Sequence, residues 1–576
     1  MLEKPAVKLL LCSAISMASL GQVQALEFYS SGIEGSFDSQ ISLGSSWRLA
    51  SPSQTLMTNS SNGNDGDGNY KKGEVFSQVF KGSHDLQLNY QNVGAFVRAK
   101  YWSDNVLRDK EGSTPNVNKN QLNQKFDSDG FNDLSQASGF ALLDAFVYGS
   151  FELNQMSLDL RLGKQVVSWG ESTFIGGGVN NINPYDVNEF TRPGATLKEG
   201  LLPINMAFGS IGLSDSLSAE AFYQLEFQET VLPGCGTFFA TNDYAPQGCE
   251  FAITDESLLD FDPTARAARS SDDKPGSDGQ FGLALRYISP ELGDTELGFY
   301  YMNIHSRIPM VNIVKGDNWQ DSTQAGDYGT ALYLNTLDSS YQISYPKDIQ
   351  LAGISFATTV GTMALSGEVT HKLDVPVQLN GSQLVAAALT ADADLLDAMG
   401  MTSSELLADV AAVANGDVVL GYRKLDMTQL QMTAISLFDQ VGPISRITVV
   451  AEAAMSFLHG LDGSDDRNIF GGNDADGEGF EEGFYTRSAW GYRAFINAAF
   501  TDVVAGINLT PSLSLAHDVR GYSDNFTQGQ KKVGVTLKAD YQSSYSASIS
   551  YQEYFGGEQS VVHDRDFASI TLGMQF

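Results

Sequence analysis

The last eleven residues, DFASITLGMQF, alternate apolar and polar side chains up to a terminal phenylalanine. Counting back from Phe576, one face carries Met574, Leu572, Ile570 and Ala568, and the other face carries small or polar residues. A period of two predicts a β-strand with one apolar face. Such a strand faces either the core of a soluble protein or the lipid of a membrane, and the rest of the chain decides between the two.

The same alternation recurs in hairpins along the chain. LLDAFVYGSFELNQMSLDLRLG turns at Asn154, and INMAFGSIGLSDSLSAEAFYQLEF turns at Ser214-Asp215. Long polar segments separate the hairpins, at about residues 51–83, 104–138, 166–200, 229–277, 306–345, 373–424 and 459–486. Short turns that alternate with long loops are typical of outer-membrane barrels. We therefore predict an all-β, antiparallel transmembrane β-barrel of about 18 strands, with 16 as the alternative count.

The start of the chain has the features of a signal peptide. Lys4 and Lys8 precede an apolar stretch over residues 9–20, and Val23-Gln24-Ala25 is an acceptable cleavage site. We predict a signal peptide at 1–25 and one barrel domain at 26–576, located in the outer membrane of a Gram-negative bacterium.

The predicted barrel implies a role for the C-terminal residue and for the overall charge. The final strand should pair with the first and close the sheet, and Phe576 should be the signal that the outer-membrane assembly machinery reads. A net charge of −34 argues against nucleic acid as a partner, and it suits loops that face outer-membrane lipid and lipopolysaccharide.

Two loop features have alternative interpretations. Cys235 and Cys249 lie close together among turn residues, which favours a disulfide over free thiols in an oxidising compartment. The Ala/Leu-rich segment within 373–424 predicts short α-helices in an outside loop. These helices would form either a packed cap or a plug or gate directed towards the lumen.

Several stretches resemble a known family. They include DAFVYGSFELNQMSLDLRLGKQVVSWGESTFIGGG, GINLTPSLSLAHDVRGYS and YQEYFGGEQSVVHDRDF. They resemble the proteobacterial outer-membrane proteins catalogued as domain of unknown function (DUF) 1302, over essentially the whole mature chain. The resemblance implies a channel or transport barrel for small, hydrophobic or lipid-like molecules. It also implies a periplasmic carrier lipoprotein and an inner-membrane exporter as partners, and it supplies no catalytic residues.

The stretch GKQVVSWGES is the most distinctive local motif in the sequence. It ends a predicted strand and opens a long glycine-rich loop. One interpretation folds this loop into the barrel, where Lys164, Trp169, Gly170 and Glu171 would shape a constriction. The alternative is a rim aromatic of the outer girdle followed by an ordinary loop.

Charged residues at alternate strand positions should face the lumen, because a charge costs about 2–4 kcal/mol at the lipid midplane. By this criterion the lumen-facing charges are Arg98, Lys100, Arg161, Glu220, Glu226, Arg286, Glu368 and Glu452. They would either line a water-filled pore or bridge one another.

Two His-Asp pairs raise the question of catalysis. We interpret them, with two arginines, as a hydrogen-bonded rim network: His517, Asp518, Arg520, His563, Asp564 and Arg565. No serine is placed with them as acyl-transfer chemistry would require. We therefore predict no enzyme activity, no cofactor and no metal site. A closed-lumen structural or partner-docking barrel is the alternative function, and a barrel hydrolase is a more distant one.

Overall fold

The structure is a computed structural model. It describes residues 26–59, 62, 65–112, 124–125, 128–195, 197–394, 404–461, 470–472 and 483–576. The predicted signal peptide, 1–25, lies outside the described residues.

The main sheet has 19 strands, of which 18 close into an antiparallel barrel. The remaining strand, Leu26–Ser30, pairs with the first residues of β1. The barrel strands are β1 (Ile33–Arg48), β2 (Val75–Tyr90), β3 (Val93–Asp104), β4 (Ser138–Leu153), β5 (Met156–Gln165), β6 (Ile204–Ser214), β7 (Leu217–Gln224), β8 (Phe281–Ser289), β9 (Thr295–Ile304), β10 (Ile349–Val360), β11 (Met363–Gln378), β12 (Tyr422–Val441), β13 (Ile444–Leu458), β14 (Ser488–Val504), β15 (Ile507–Arg520), β16 (Lys531–Tyr541), β17 (Tyr545–Phe555) and β18 (Phe567–Gln575). The all-β barrel and the count of 18 are confirmed.

Pairing of the last strand with the first closes the sheet. Leu572 of β18 lies opposite Leu43 of β1, and the backbone of Phe576 exchanges hydrogen bonds of 2.6 and 2.8 Å with that of Ser39. Closure leaves the barrel wall without a free edge, which a membrane-spanning sheet requires because lipid cannot satisfy backbone polar groups.

One face of the barrel wall is apolar and exposed. Residues that lie opposite each other in the register share a face, so the alternation can be followed from strand to strand. Exposed apolar residues on the outward face include Val147, Leu162, Leu283, Ile354, Met432, Val535, Ile549 and Ile570. A continuous apolar outer surface of this kind faces lipid. Among the helices that the structure describes, none is long and apolar enough to cross a membrane.

Short turns lie at one end of the barrel and long loops at the other. The turns after β2 and β4 have Gln91 and Asn154 in the left-handed region, with φ of 54° and 50°, as tight hairpin turns need. The even strand number places Leu26 and Phe576 at the turn end, which is the periplasmic side in outer-membrane barrels. The first predicted loop, 51–83, was too long, because β2 already begins at Val75 and its polar Ser77, Lys81 and Ser83 alternate inward.

The long loops carry further elements. Their helices are Gln54–Asn59, Asp65–Gly68, Asn105–Asp109, Val187–Thr191, Leu197–Gly200, Glu256–Phe261, Ser322–Ala325, Tyr328–Asp338, Gly381–Thr390 and Ser404–Ala412, with 3-10 turns at Ser128–Gly130, Asp133–Ser135 and Pro290–Leu292. Their strands are Glu111–Gly112, Gln124–Lys125, Phe251–Ala252, Ala267–Arg269, Met310–Val314, Ser340–Ser344, Val418–Val419, Tyr522–Ser523 and Phe526–Thr527.

The helical insertion lies in the loop between β11 and β12. Because β11 continues to Gln378 and β12 begins at Tyr422, the insertion is shorter than the predicted 373–424. Leu384 and Leu389 of Gly381–Thr390 pack with Leu332 and with Leu458, at the loop end of β13. The described helices of the insertion therefore pack against other loop elements and against the loop ends of β11 and β13. Residues 395–403 of the insertion lie outside the described residues.

Candidate functional site

The loop between β5 and β6, residues 166–203 (the inward loop), folds into the barrel. Trp169 is 1% exposed and donates a 2.6 Å hydrogen bond from Nε1 to Glu220 Oε2 on β7. Its ring packs against Phe222 and Tyr300, with ring centroids 5.0 and 6.0 Å apart. These partners are on the inward face of the wall, so Trp169 lies inside the barrel and is not part of an outer girdle.

Glu368 on β11 holds the next part of the inward loop. Its carboxylate accepts hydrogen bonds from the backbone N–H groups of Glu171 and Val179, at 2.6 and 2.9 Å. A β-carbon at Gly178 would lie 1.8 Å from Glu368 Oε1, so only glycine leaves room for the carboxylate. The glycine at position 178 of the loop therefore leaves room for the Glu368 carboxylate, which comes from another strand of the barrel wall.

Glu452 on β13 holds the tip of the inward loop. Its carboxylate accepts hydrogen bonds from three consecutive backbone N–H groups, of Thr173, Phe174 and Ile175, at 3.0, 2.7 and 3.0 Å. Hydrogen bonds to a charged acceptor are about twice as strong as neutral ones. The tip is therefore fixed to a strand eight positions away from β5 around the barrel.

The second half of the inward loop returns to the β2–β3 wall through a buried ion cluster. Lys81 on β2 pairs with Glu189 and Glu199, and Lys100 on β3 pairs with Asp186 and Glu189. Burial of Glu189 opposes its ionisation, but the nearby Arg192, Lys100 and Lys81 cations hold the pKa of its carboxyl below the usual value. The cluster contains three cations and three carboxylates, so its buried charges are compensated. They are Lys81, Lys100 and Arg192, and Asp186, Glu189 and Glu199.

The inward loop also touches the wall next to the closure seam. Pro193 lies so near β1 that a β-carbon at Gly44 would come 2.5 Å from Pro193 Cβ. The neighbouring Gly194, with φ of 77°, approaches Ser42 and Thr571. The loop therefore contacts the barrel wall on several sides.

The inward face of β15–β18 carries many small side chains together with a few long ones, such as Lys532, Lys538 and Tyr554. The small side chains are half-buried hydroxyl residues, namely Ser512, Ser514, Thr536, Ser548, Ser550, Ser569 and Thr571. The loop tip is held at β11 and β13, on strands other than those of this hydroxyl-lined wall.

A family model described as Protein of unknown function (DUF1302) matches residues 6–576. The chain belongs to this family. With an 18-stranded closed barrel and an apolar outer surface, this DUF1302 protein is located in the outer membrane of a Gram-negative bacterium. No curated protein sequence matches it at a significant level.

Solved structures give a distant likeness to the DUF1302 barrel. OccAB1 of Acinetobacter baumannii is 10% identical with a TM-score of 0.41, over 96% of this chain and 99% of that one. OccK2 of Pseudomonas aeruginosa, solved in complex with glucuronate, is 10% identical with a TM-score of 0.37, over 94% and 97%. The outer-membrane channel DcaP of A. baumannii is 9% identical with a TM-score of 0.35, over 95% and 99%. At these scores no functional detail is transferred.

The charges predicted to face the lumen are placed as follows. Arg98, Lys100, Arg161, Glu220, Arg286, Glu368 and Glu452 alternate with outward residues and lie on the inward face. Contacts to the inward loop are made by Lys100, Glu220, Glu368 and Glu452. Arg286 pairs with Glu220 and Glu296 at 3.3 and 2.7 Å, Arg98 pairs with Asp85 and Asp144, and Arg161 lies over the Phe208 ring. Glu226 lies beyond the end of β7, where it accepts hydrogen bonds from the backbone and side chain of Asn205.

The predicted constriction residues separate into two groups. Trp169, Gly170 and Glu171 are in the inward loop. Lys164 is not, since it lies opposite the outward Ala145 and donates a 3.1 Å hydrogen bond from Nζ to the Leu142 carbonyl. Alternation from Arg161, which is inward, would have placed Lys164 outward from the sequence alone.

The predicted rim network is divided between separate contacts. His517 is on the outward face beside Tyr492, whereas Asp518 is inward and pairs with Arg493 at 2.7 Å. His563 contacts the Ser560 carbonyl at 2.7 Å. The prediction that these residues form a single network was wrong, because alternate residues of β15 point to opposite faces of the wall. Arg520 lies exposed at the end of β15.

Asp564 and Arg565 belong to a buried ion cluster that sequence reasoning missed. Arg48, which is fully buried, pairs with Asp67 and Asp564, each at 2.9 Å, and Arg565 pairs with Asp67 at 2.9 Å. Burial raises the pKa of Asp67 to about 6. The members come from three loop or strand ends that only closure of the barrel brings together.

This ion cluster anchors a segment of the extracellular loops, residues 229–253 (the strap). The strap follows β7, yet its Phe238 stacks on Phe76 at the start of β2, with ring centroids 4.1 Å apart. Arg565 donates a 3.3 Å hydrogen bond to the Ala240 carbonyl. Cys235 and Cys249 form a disulfide within the strap, with Cα atoms 5.5 Å apart.

Proposed function

We propose that this DUF1302 protein is a channel through which small molecules pass between the inward loop and the hydroxyl-lined wall of β15–β18. The observation that supports it is the asymmetry of the lumen. Large side chains and the inward loop fill the side formed by β5–β13, while the opposite wall carries half-buried serines and threonines. The tip of the loop is anchored to Glu368 of β11 and Glu452 of β13, and the loop approaches the hydroxyl-lined wall at Thr571 through Gly194.

The chemistry of the wall narrows the kind of molecule proposed. Hydroxyl groups form hydrogen bonds to polar groups, and they contribute little binding free energy to a purely apolar surface. The expectation of hydrophobic or lipid-like cargo is therefore restricted to molecules that also carry a polar group. A periplasmic carrier lipoprotein and an inner-membrane exporter, which the family resemblance implies, belong to the same proposal. No chemical step is proposed, because selection by the lumen needs only binding.

The test is single-channel conductance of the refolded mature protein in planar bilayers. Ser514→Trp places a large ring on the hydroxyl-lined wall, whereas Leu515→Trp places the same ring on the adjacent outward position. We expect Ser514→Trp to lower the conductance several-fold and Leu515→Trp to leave it unchanged. Silence of the folded wild type, or equal conductance of both variants, would overturn the proposal and favour a closed-lumen structural or docking barrel.

A further inference from the structure

Four inward residues form one row across neighbouring strands at the extracellular end of the hydroxyl-lined wall. Arg493 of β14 lies opposite Ala516 of β15, Ala516 lies opposite Lys532 of β16, and Lys532 lies opposite Tyr554 of β17. Two cations thus flank an alanine on the lumen side of the barrel.

The two cations of this row differ in their partners. Arg493 pairs with Asp518 at 2.7 Å. The ammonium group of Lys532 lies 5.3 Å from the centre of the Tyr554 ring, and no carboxylate of the described residues is within ion-pair distance of it. Glu452 of β13 lies opposite Arg493 in the same row, so two cations are matched by two carboxylates. Lys532 is the cation of the row that has no ion pair among the described residues.

The spacing of the two cations leaves room for a small anion. Adjacent strands are about 4.8 Å apart, so the β-carbons of Arg493 and Lys532 are separated by about 10 Å across Ala516. Both side chains are long enough to reach a ligand over the alanine methyl group. The next rows towards the periplasm carry Ser514 and Ser512, whose hydroxyls extend the polar surface.

We infer that Lys532 and Arg493 bind the carboxylate of a small solute in the lumen. An ammonium and a guanidinium group form charge-assisted hydrogen bonds to a carboxylate, and such a ligand would give the Lys532 ammonium group the ion-pair partner that the described residues do not supply. The inference rests on the proposed channel in one respect, namely that the solute reaches this row through the lumen.

The first test measures binding without requiring conductance. Trifluoroacetate is a carboxylate with a ¹⁹F signal, and its line broadens when it binds a large protein in neutral detergent. Lys532→Gln removes the inward cation, and Lys531→Gln removes its outward neighbour as a matched control. We expect broadening with wild type and Lys531→Gln and its loss with Lys532→Gln. Broadening that persists in Lys532→Gln, or is absent from wild type, would overturn the inference.

The second test separates failure of the site from failure of the channel. Reversal potentials under a KCl gradient should show Lys532→Gln to be more cation-selective than wild type, by about two-fold or more in permeability ratio, with Lys531→Gln unchanged. If wild type, Lys532→Gln and Lys531→Gln all conduct with the same ion selectivity, the proposed binding site is overturned and the proposed channel is retained. A silent barrel that broadens trifluoroacetate in a Lys532-dependent way would overturn the channel and keep the site.

Discussion

Glu452 on the barrel wall accepts a 3.0 Å hydrogen bond from the backbone N–H of Ile175, although 277 residues separate them in sequence. The same carboxylate holds the two preceding N–H groups of the inward loop. One side chain of β13 therefore fixes the position of a loop that leaves the wall at β5, and the free cross-section of the lumen depends on this contact.

Replacement of this carboxylate should loosen the loop without unfolding the barrel. Glu452→Gln keeps the side-chain shape but loses the charge, and hydrogen bonds to charged groups contribute about 1.5–3 kcal/mol each. We expect faster amide hydrogen exchange at Thr173, Phe174 and Ile175 and noisier conductance, with little change in barrel melting. The outward Glu553→Gln is the matched control. Unchanged exchange in Glu452→Gln would contradict the anchoring role.

A paired glycine comparison tests the Glu368 contact. Gly178→Ala places a methyl group 1.8 Å from Glu368 Oε1, so the carboxylate must withdraw from the Val179 N–H. Overpacking of this kind costs about 1–3 kcal/mol. At Gly176 the nearest atom is 3.9 Å away, and Gly176→Ala should therefore be tolerated. Thermal unfolding in detergent measures both, and equal melting temperatures would argue against the contact.

The buried Asp67 predicts a pH dependence for the anchoring of the strap. Burial raises its pKa from 3.8 to about 6 in the folded protein. A raised pKa means that the folded state binds the proton more tightly, so this contribution to stability is present below about pH 4 and is lost as the pH rises through 6.

Protease protection of the strap between pH 4 and pH 8 measures this effect. We expect protection to fall with rising pH in wild type, and Asp67→Asn, which imitates the protonated acid, to flatten the profile. Asp260→Asn, at an exposed loop position, should keep the wild-type profile. A steep profile in Asp67→Asn would assign the pH dependence to another group.

The disulfide should stabilise the strap locally. Cys235 and Cys249 are separated by 14 positions, and closing a loop of about 15 residues contributes about 3 kcal/mol in the chain-entropy model. We expect a reducing agent to speed proteolysis within 229–253 while barrel melting stays unchanged. The double variant Cys235→Ser/Cys249→Ser should be cut rapidly with or without reductant. Equal cleavage of oxidised and reduced wild type would contradict this.

The terminal residue should matter for assembly. Removal of Phe576 deletes two backbone hydrogen bonds to Ser39 at the closure seam and the aromatic end predicted to be read by the assembly machinery. We expect less folded barrel in the outer membrane, measured by heat-modifiable gel mobility. Gln575→Ala, one residue earlier, should assemble normally, and normal assembly of the shortened chain would refute the signal.

The sequence by itself determined the barrel, its approximate strand count and the faces of most strand residues. These follow from a period of two, which depends only on local backbone geometry. Parity placed Arg98, Glu368 and Glu452 inward, and the same rule, applied to Lys164, would have placed it outward. The turn at Asn154 is likewise set by local chain chemistry.

Only the tertiary structure decided that the inward loop crosses the lumen, that the strap contacts the start of β2 and the loop before β18, and which charges meet. Glu368 and Glu171 are 197 residues apart, and Arg48 and Asp564 are 516 apart. Contacts at such separations have no local signature, because they arise when closure brings distant strand ends together. The physical reason is that buried backbone N–H groups and buried charges require hydrogen-bond or ion-pair partners. In a closed barrel these partners come from the strand that is nearest in space, which can be distant in sequence.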